Sequence, residues 1–270
     1  IPVWGGGKSP LSSELALAVR EKIRQASEGI FDRAEMKAIS PTLALQEKFS
    51  ILPKPSEFLI ERTETKEGTN WFLFPFAGRL ANEGLAALVS YRMSKITPMS
   101  LSVSFNDYGF HLCSNADLAL DRQQWSELLS PEGLLDELLA CMNLSEMAKR
   151  QFREVARVAG LIFQGYPGAQ KSARQVQASG GLFFDVFAKY DPGNLLLEQA
   201  RREVLDRQLE VRRIEDKLLE IQKQEVVIRK TPRLTPFGFP LWAESLRTQV
   251  SSESWGDRVR KMAKDLENEG

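Results

Sequence analysis

The stretch Trp71–Ile96, WFLFPFAGRLANEGLAALVSYRMSKI, changes its hydrophobic period part-way along, and that change limits what the chain can fold into. Trp71–Phe74 is wholly apolar and aromatic, as in a strand buried on both faces. Pro75 cannot donate to a ladder and Gly78 permits unusual backbone angles, so the strand should stop there. From Leu80 the apolar positions Leu80, Leu85, Leu88, Val89 and Ile96 take helical spacing. A strand, a Gly-containing bend and a helix start carrying Arg79, Asn82 and Glu83 form an arrangement that can hold an anion such as a phosphate. The alternative is that Gly78 only bends the chain and Arg79 pairs with Glu83 one turn along.

The remaining pattern places this unit in a larger frame. Glu57–Thr65 reads as a strand, and Lys66–Asn70, with Gly68, turns the chain into Trp71. Met99–Phe105 alternates: Met99, Leu101, Val103 and Phe105 on one side, and Ser100, Ser102 and Ser104 on a polar side expected to be solvated. Asn106-Asp107-Tyr108-Gly109 is type I turn chemistry, so Phe110–Cys113 should return antiparallel. Ser9 and Pro10 suit a helix start running to about Gln25, Asp32–Ile39 is a second helix ending before Pro41, and Thr42–Phe49 a third. After Asp117 the spacing is helical almost throughout. Gly180-Gly181 marks a kink or close packing point, Ala200–Ile221 one long amphipathic helix or a pair, and Val226–Arg229 a possible strand.

The expected fold is therefore α+β: an antiparallel β-sheet of Glu57–Thr65, Trp71–Phe74, Met99–Phe105 and Phe110–Cys113, flanked by many α-helices, with helix predominating. Residues 1–116 make the mixed part with the sheet, and 117–270 a mainly helical part packed on it.

Composition narrows the function. The 36 basic and 36 acidic residues cancel, which removes bulk positive charge as an argument for nucleic acid and leaves only a local patch. Two cysteines, Cys113 and Cys141, make no disulfide framework and suit a reducing, cytoplasmic setting. No run is long enough to span a membrane. The chain begins at Ile1, without Met, and is expected to be a fragment of a longer protein. One histidine, His111, without a His or Cys cluster, argues against a zinc site or a catalytic dyad. Gly5-Gly6-Gly7-Lys8-Ser9 lacks the gap between glycines that shapes a phosphate loop, so this segment carries no ATP cradle. Trp4, beside those glycines, offers either a flat surface for a base or a plug at a strand end.

Three blocks together resemble one family: PVWGGGKSPLSSELA at Pro2–Ala16, FPFAGRLANEGLAAL with SFNDYGF, and KSARQVQASGGLFFDVFAKYDPGNLLLEQARREVL at Lys171–Leu205. They resemble the C-terminal DEAD/H-associated region that follows the two RecA-like motor domains and winged helix of Lhr-type DExH-box helicases. The closing TPRLTPFGFPLWAESLRTQVSSESWGDRVRKM is similar to the end of the ligase-associated branch. Asn82 stands where the family pattern favours His. The resemblance implies a 3′-to-5′ translocase that unwinds DNA or RNA–DNA hybrids in DNA repair, with ATP and Mg bound in motor domains outside this segment and no cofactor within it. It implies that this domain helps grip the tracking single strand, with Trp4 stacking on a base. The candidate DNA-contacting residues are Trp4, Lys8, Arg79, Asn106, Lys171 and Arg174. The competing expectation is a structural or protein-interaction scaffold without DNA contact, which the neutral charge and amphipathic helices favour. A stand-alone hydrolase ranks third, because no His, Cys and carboxylate constellation is visible.

Overall fold

The computed structural model describes residues 11–66, 68–116, 118–141, 144–162, 165–166, 169–170, 173–205, 210–247 and 260. The chain divides into two compact units, and the division is not sequential. Ile1–Leu134 joins Arg213–Gly270 in unit 1, and Leu135–Arg212 forms unit 2. This differs from the expected division at residue 116, because the last amphipathic helix returns to the sheet unit: Ile214 sits so close to Gly84 that a Cβ there would lie 2.4 Å from its Cδ1.

Unit 1 opens with helices α1 (Ser13–Ser27) and α2 (Ala34–Phe49). Ser12 caps α1, its hydroxyl accepting from the Leu15 amide at 3.2 Å, so the helix starts later than the Ser9-Pro10 expectation; those two residues lie outside the described set. The expected break before Pro41 is absent, and α2 runs through it. Pro41 leaves the Lys37 carbonyl without its amide partner, and the Ser40 hydroxyl donates to that carbonyl at 2.9 Å.

The sheet follows. β1 (Glu57–Thr65) and β2 (Gly68–Leu73) form a hairpin, α3 (Arg79–Ile96) leaves the sheet, and β3 (Ser102–Phe105) with β4 (Phe110–Ser114) forms a second hairpin. The sheet order is β3-β4-β2-β1, antiparallel throughout as expected. Helices α4 (Arg122–Leu128) and α5 (Leu134–Cys141) come next, and Asp121 caps α4 in a reciprocal box with Gln124. A fifth strand, from the possible Val226–Arg229 segment, then adds alongside β1 in parallel, so the sheet is mixed rather than purely antiparallel. Parallel pairing needs a long crossover, and everything between β1 and that strand supplies it.

Unit 2 contains α5 beyond its first residue, α6 (Leu144–Val158), the two-residue strands β5 (Gly165–Tyr166) and β6 (Ala169–Gln170), α7 (Ala173–Tyr190) and α8 (Leu195–Glu203). Phe152 is fully buried between Phe184 and Phe187, with ring centroids at 5.6 and 6.0 Å. Gly180 is a close packing point: a Cβ there would lie 2.2 Å from Arg153 Cγ. Unit 1 then closes with α9 (Val211–Ile221), the parallel strand β7 (Glu225–Thr231) and α10 (Gly238–Arg247). The long amphipathic stretch is thus a pair, α8 and α9. Among the described residues helix exceeds strand by a wide margin.

One sheet face packs on α1, α2 and the 234–242 segment through Leu59, Phe72 and Phe74. Polar groups on that face are buried too. Ser104, expected in solvent, is 5% exposed because α10 covers it, and its hydroxyl lies 2.7 Å from the Leu241 carbonyl. Its neighbour His111 bridges Ser104 (Nδ1, 3.2 Å) and Asn70 (Nε2, 2.8 Å) and stacks on Phe72. All three are sealed inside the unit, so this Ser-His-Asn chain is internal scaffolding rather than an active site.

Glu61, also fully buried, anchors the Pro-rich entry to α10. Its carboxylate accepts from Gln46 Nε2 at 2.7 Å and from the Thr235 hydroxyl, while Gln46 Oε1 accepts from the Phe237 amide. Burial raises the Glu61 pKa above the usual 4.5, and the hydrogen bonds from Thr235 and Gln46 offset part of the rise. A raised folded-state pKa favours the protonated form, so this residue's contribution declines as pH climbs from 4.5 through the folded value. Glu61→Gln should abolish that decline. Urea-unfolding midpoints between pH 4.5 and 8 should fall less in the variant than in the parent; parallel curves would show that Glu61 titrates normally.

Candidate nucleic-acid interface

The bend before α3 is built by close backbone contacts with the β3–β4 turn. Phe76 is held at a positive φ of 54°, its amide donating to the Tyr108 carbonyl at 2.9 Å. Gly78, at φ 81°, donates to the Asp107 carbonyl at 3.0 Å. A side chain at Gly78 would meet Leu11 O at 3.0 Å and Arg213 Nη1 at 2.9 Å, so glycine is required by both angle and space.

The α3 N-terminus already holds an anion, from the protein itself. Asp107 Oδ1 accepts from the Arg79 amide at 3.2 Å and from the Leu11 amide at 3.5 Å. The carboxylate satisfies an orphan donor of the first turn and complements the helix dipole. What Arg79 presents outward is therefore its guanidinium, 40% exposed, lying 5.2 Å over the Phe105 ring and 3.4 Å from Glu244 Oε1. The Arg79 pairing considered with Glu83 is replaced by this pair with Glu244. Half-burial lifts the Glu83 pKa, and the charge of Arg79 offsets part of that rise.

Asn106 shapes the turn: its Oδ1 accepts from the amides of Tyr108 (2.8 Å) and Gly109 (3.0 Å). Its carbonyl accepts from Asn82 Nδ2 at 2.7 Å. Asn82 is fully buried, so the residue standing where the family favours His ties α3 to the turn and offers no surface to a ligand. Two residues that sequence reasoning passed over matter here. Asp107 is the helix cap, and Tyr108 stands 48% exposed, edge-on to Phe76. The turn motif Asn-Asp-Tyr-Gly was visible, but nothing local pairs Asp107 with an amide 28 residues upstream.

Leu11 is gripped at both ends, its amide by Asp107 and its carbonyl by Arg213 Nη2 at 2.6 Å. Trp4, Lys8 and Lys171 lie outside the described residues. Lys8 is three residues from Leu11 and Trp4 seven. Arg174 falls in α7, in unit 2, where its side chain is not described. Among the described residues no cluster of three His, Cys, Asp or Glu side chains could hold a metal, and no helix is long and apolar enough to cross a membrane.

A family model described as DEAD/H associated matches residues 52–238, from just before β1 to the start of α10. The chain belongs to the DEAD/H associated family. Its relatives include "ATP-dependent helicase Lhr-Core" of Methanocaldococcus jannaschii, 29% identical over 255 residues, which cover 89% of this chain and 29% of the relative. The Methanothermobacter thermautotrophicus protein of the same name is 25% identical over 284 residues, covering 97% of this chain and 33% of the relative. This DEAD/H associated chain thus spans about a third of the length of the curated relatives it matches. A solved structure, "Structure of Mycobacterium smegmatis helicase Lhr bound to ssDNA and AMP-PNP", shares the fold with a TM-score of 0.67. It is 20% identical, and the match covers 89% of this chain and 32% of that one.

Proposed function

We propose that this chain is the accessory module of an ATP-dependent Lhr-type DNA helicase that helps grip the single-stranded tracking strand. One observation carries the reading. The guanidinium of Arg79, partly exposed over the Phe105 ring, lies at the start of α3 beside the turn that carries Asn106 and the exposed Tyr108. A cation beside an exposed tyrosine supplies parts that a single-strand site uses: bases stack and phosphates pair. The Lhr neighbour with bound single-stranded DNA supports the same reading. In this proposal ATP and Mg belong to other parts of a polypeptide as long as the relatives, and this chain alone turns over no ATP. RNA–DNA hybrids as substrates, a role in DNA repair and membership of the ligase-associated branch are part of the same proposal.

Charge reversal and salt separate this from the scaffold reading. A phosphate contact releases counterions, giving a slope of about 0.7 per contact in log affinity against log salt for single strands. In the full-length helicase, Arg79→Glu should weaken oligonucleotide binding several-fold and flatten the salt slope by about that amount. Arg174→Glu and Lys171→Glu should act the same way. Fluorescence anisotropy with a labelled single strand between 50 and 300 mM salt (on the order of the usual range) reads both quantities. Unchanged affinity and slope in all three variants would favour the scaffold.

A further inference from the structure

Unit 1 carries an apolar groove that meets the candidate nucleic-acid corner only at Asn106 and Tyr108 and otherwise lies apart from it. A cavity of about 310 Å³ lies between α1, α2, the β3–β4 turn and the entry to α10, walled by Ile23, Leu43, Phe74, Phe76, Tyr108 and Phe237. A second, also about 310 Å³, shares Val19, Ile23, Ile39 and Leu43 with it and continues along α1 to Leu15. Leu15 is 53% exposed and Ile39 45%, so the groove opens onto bare aliphatic surface.

Its chemistry selects the occupant. Among the described residues lining it, Lys22 is the one charged side chain, and its ammonium is paired with Asp32 at 3.2 Å. A phosphate backbone would find no cation to neutralise, and a nucleobase would set its polar edge against aliphatic carbon. What fits is a row of apolar side chains from a protein segment, such as one face of an amphipathic helix. The matched relatives align along 89–97% of this chain yet are about three times as long. A polypeptide of their length holds two-thirds of its residues elsewhere, tethered to this unit at millimolar effective concentration. We propose that the α1–α2 groove docks an apolar segment from another part of the same longer polypeptide. The inference rests on the length of the relatives and on groove chemistry, not on the DNA reading.

Thiol labelling tests it. Ile39→Cys places a thiol in the groove wall, and peptide mass mapping reads it separately from Cys113 and Cys141. At low protein concentration, that thiol should react at least tenfold more slowly in the full-length polypeptide than in the 270-residue chain. Adding Leu15→Asp should restore fast labelling in the full-length protein, while leaving the melting temperature of the 270-residue chain unchanged, because Leu15 is already half exposed. Equal rates in the two proteins would overturn the proposal. Protection appearing only as concentration rises would assign the groove to a second copy, and protection appearing only with single-stranded DNA would assign it to nucleic acid; either also overturns it.

Discussion

Acidification should destabilise unit 1 steeply through a single residue, His111. The imidazole is almost completely buried, and burial lowers its pKa from 6.5 to about 3. Asn70 Nδ2 donates to the Thr63 and Gly68 carbonyls and to Thr65 Oγ1, so Asn70 Oδ1 faces the ring and Nε2 must carry the proton. A folded pKa below the unfolded one means the stability is fully present above pH 6.5 and is lost as pH falls towards 3. The loss is about 2 kcal/mol by about pH 5 and roughly 4–5 kcal/mol in full, a large share of a typical domain's margin. The sign opposes that of Glu61, whose contribution improves on acidification, so the two variants should tilt the pH profile in opposite directions. His111→Phe should be less stable at pH 7 by about 1–3 kcal/mol, because Asn70 and Ser104 lose a partner, but should lose less on acidification. As His111 is the one histidine, its ring proton resonances are unambiguous. They should show no titration between pH 5 and 8, and a midpoint near 6.5 in the folded protein would refute this account.

The local parts of this fold were legible, and the non-local parts were not. Glu57–Thr65 matched β1 end to end, and Asn106–Gly109 marked the β3–β4 turn, because alternation and turn chemistry are written within a few residues. The parallel strand β7 was visible only as a short apolar run, since its partner β1 lies 168 residues away at the Thr63–Thr231 pair. Proline normally ends a helix, but Ser40 supplies a hydroxyl to the carbonyl that Pro41 leaves open. The Ser104 side read as solvated because α10, which covers it, comes more than 130 residues later. The site divides the same way. Arg79 at a helix start followed from the change of period, whereas its capping carboxylate, its ion pair with Glu244 and the anchoring of Leu11 all depend on distant segments.

Trp4 carries the largest functional expectation. Base–aromatic stacking is worth about 1–3 kcal/mol per base on truncation to alanine, which converts to roughly a 5- to 150-fold loss. Phosphate contacts respond to salt and stacking does not, so the two contributions separate cleanly. In the full-length helicase, Trp4→Ala should depress DNA-stimulated ATP hydrolysis and unwinding by at least several-fold, with the salt slope of binding nearly unchanged. A stacking role also requires that the fold be retained. The deciding measurement is unwinding rate and melting temperature on one preparation of Trp4→Ala beside the parent. The account requires an unchanged melting temperature with slowed unwinding. Normal unwinding in a stable variant, or a loss of unwinding that tracks a lowered melting temperature, would contradict it.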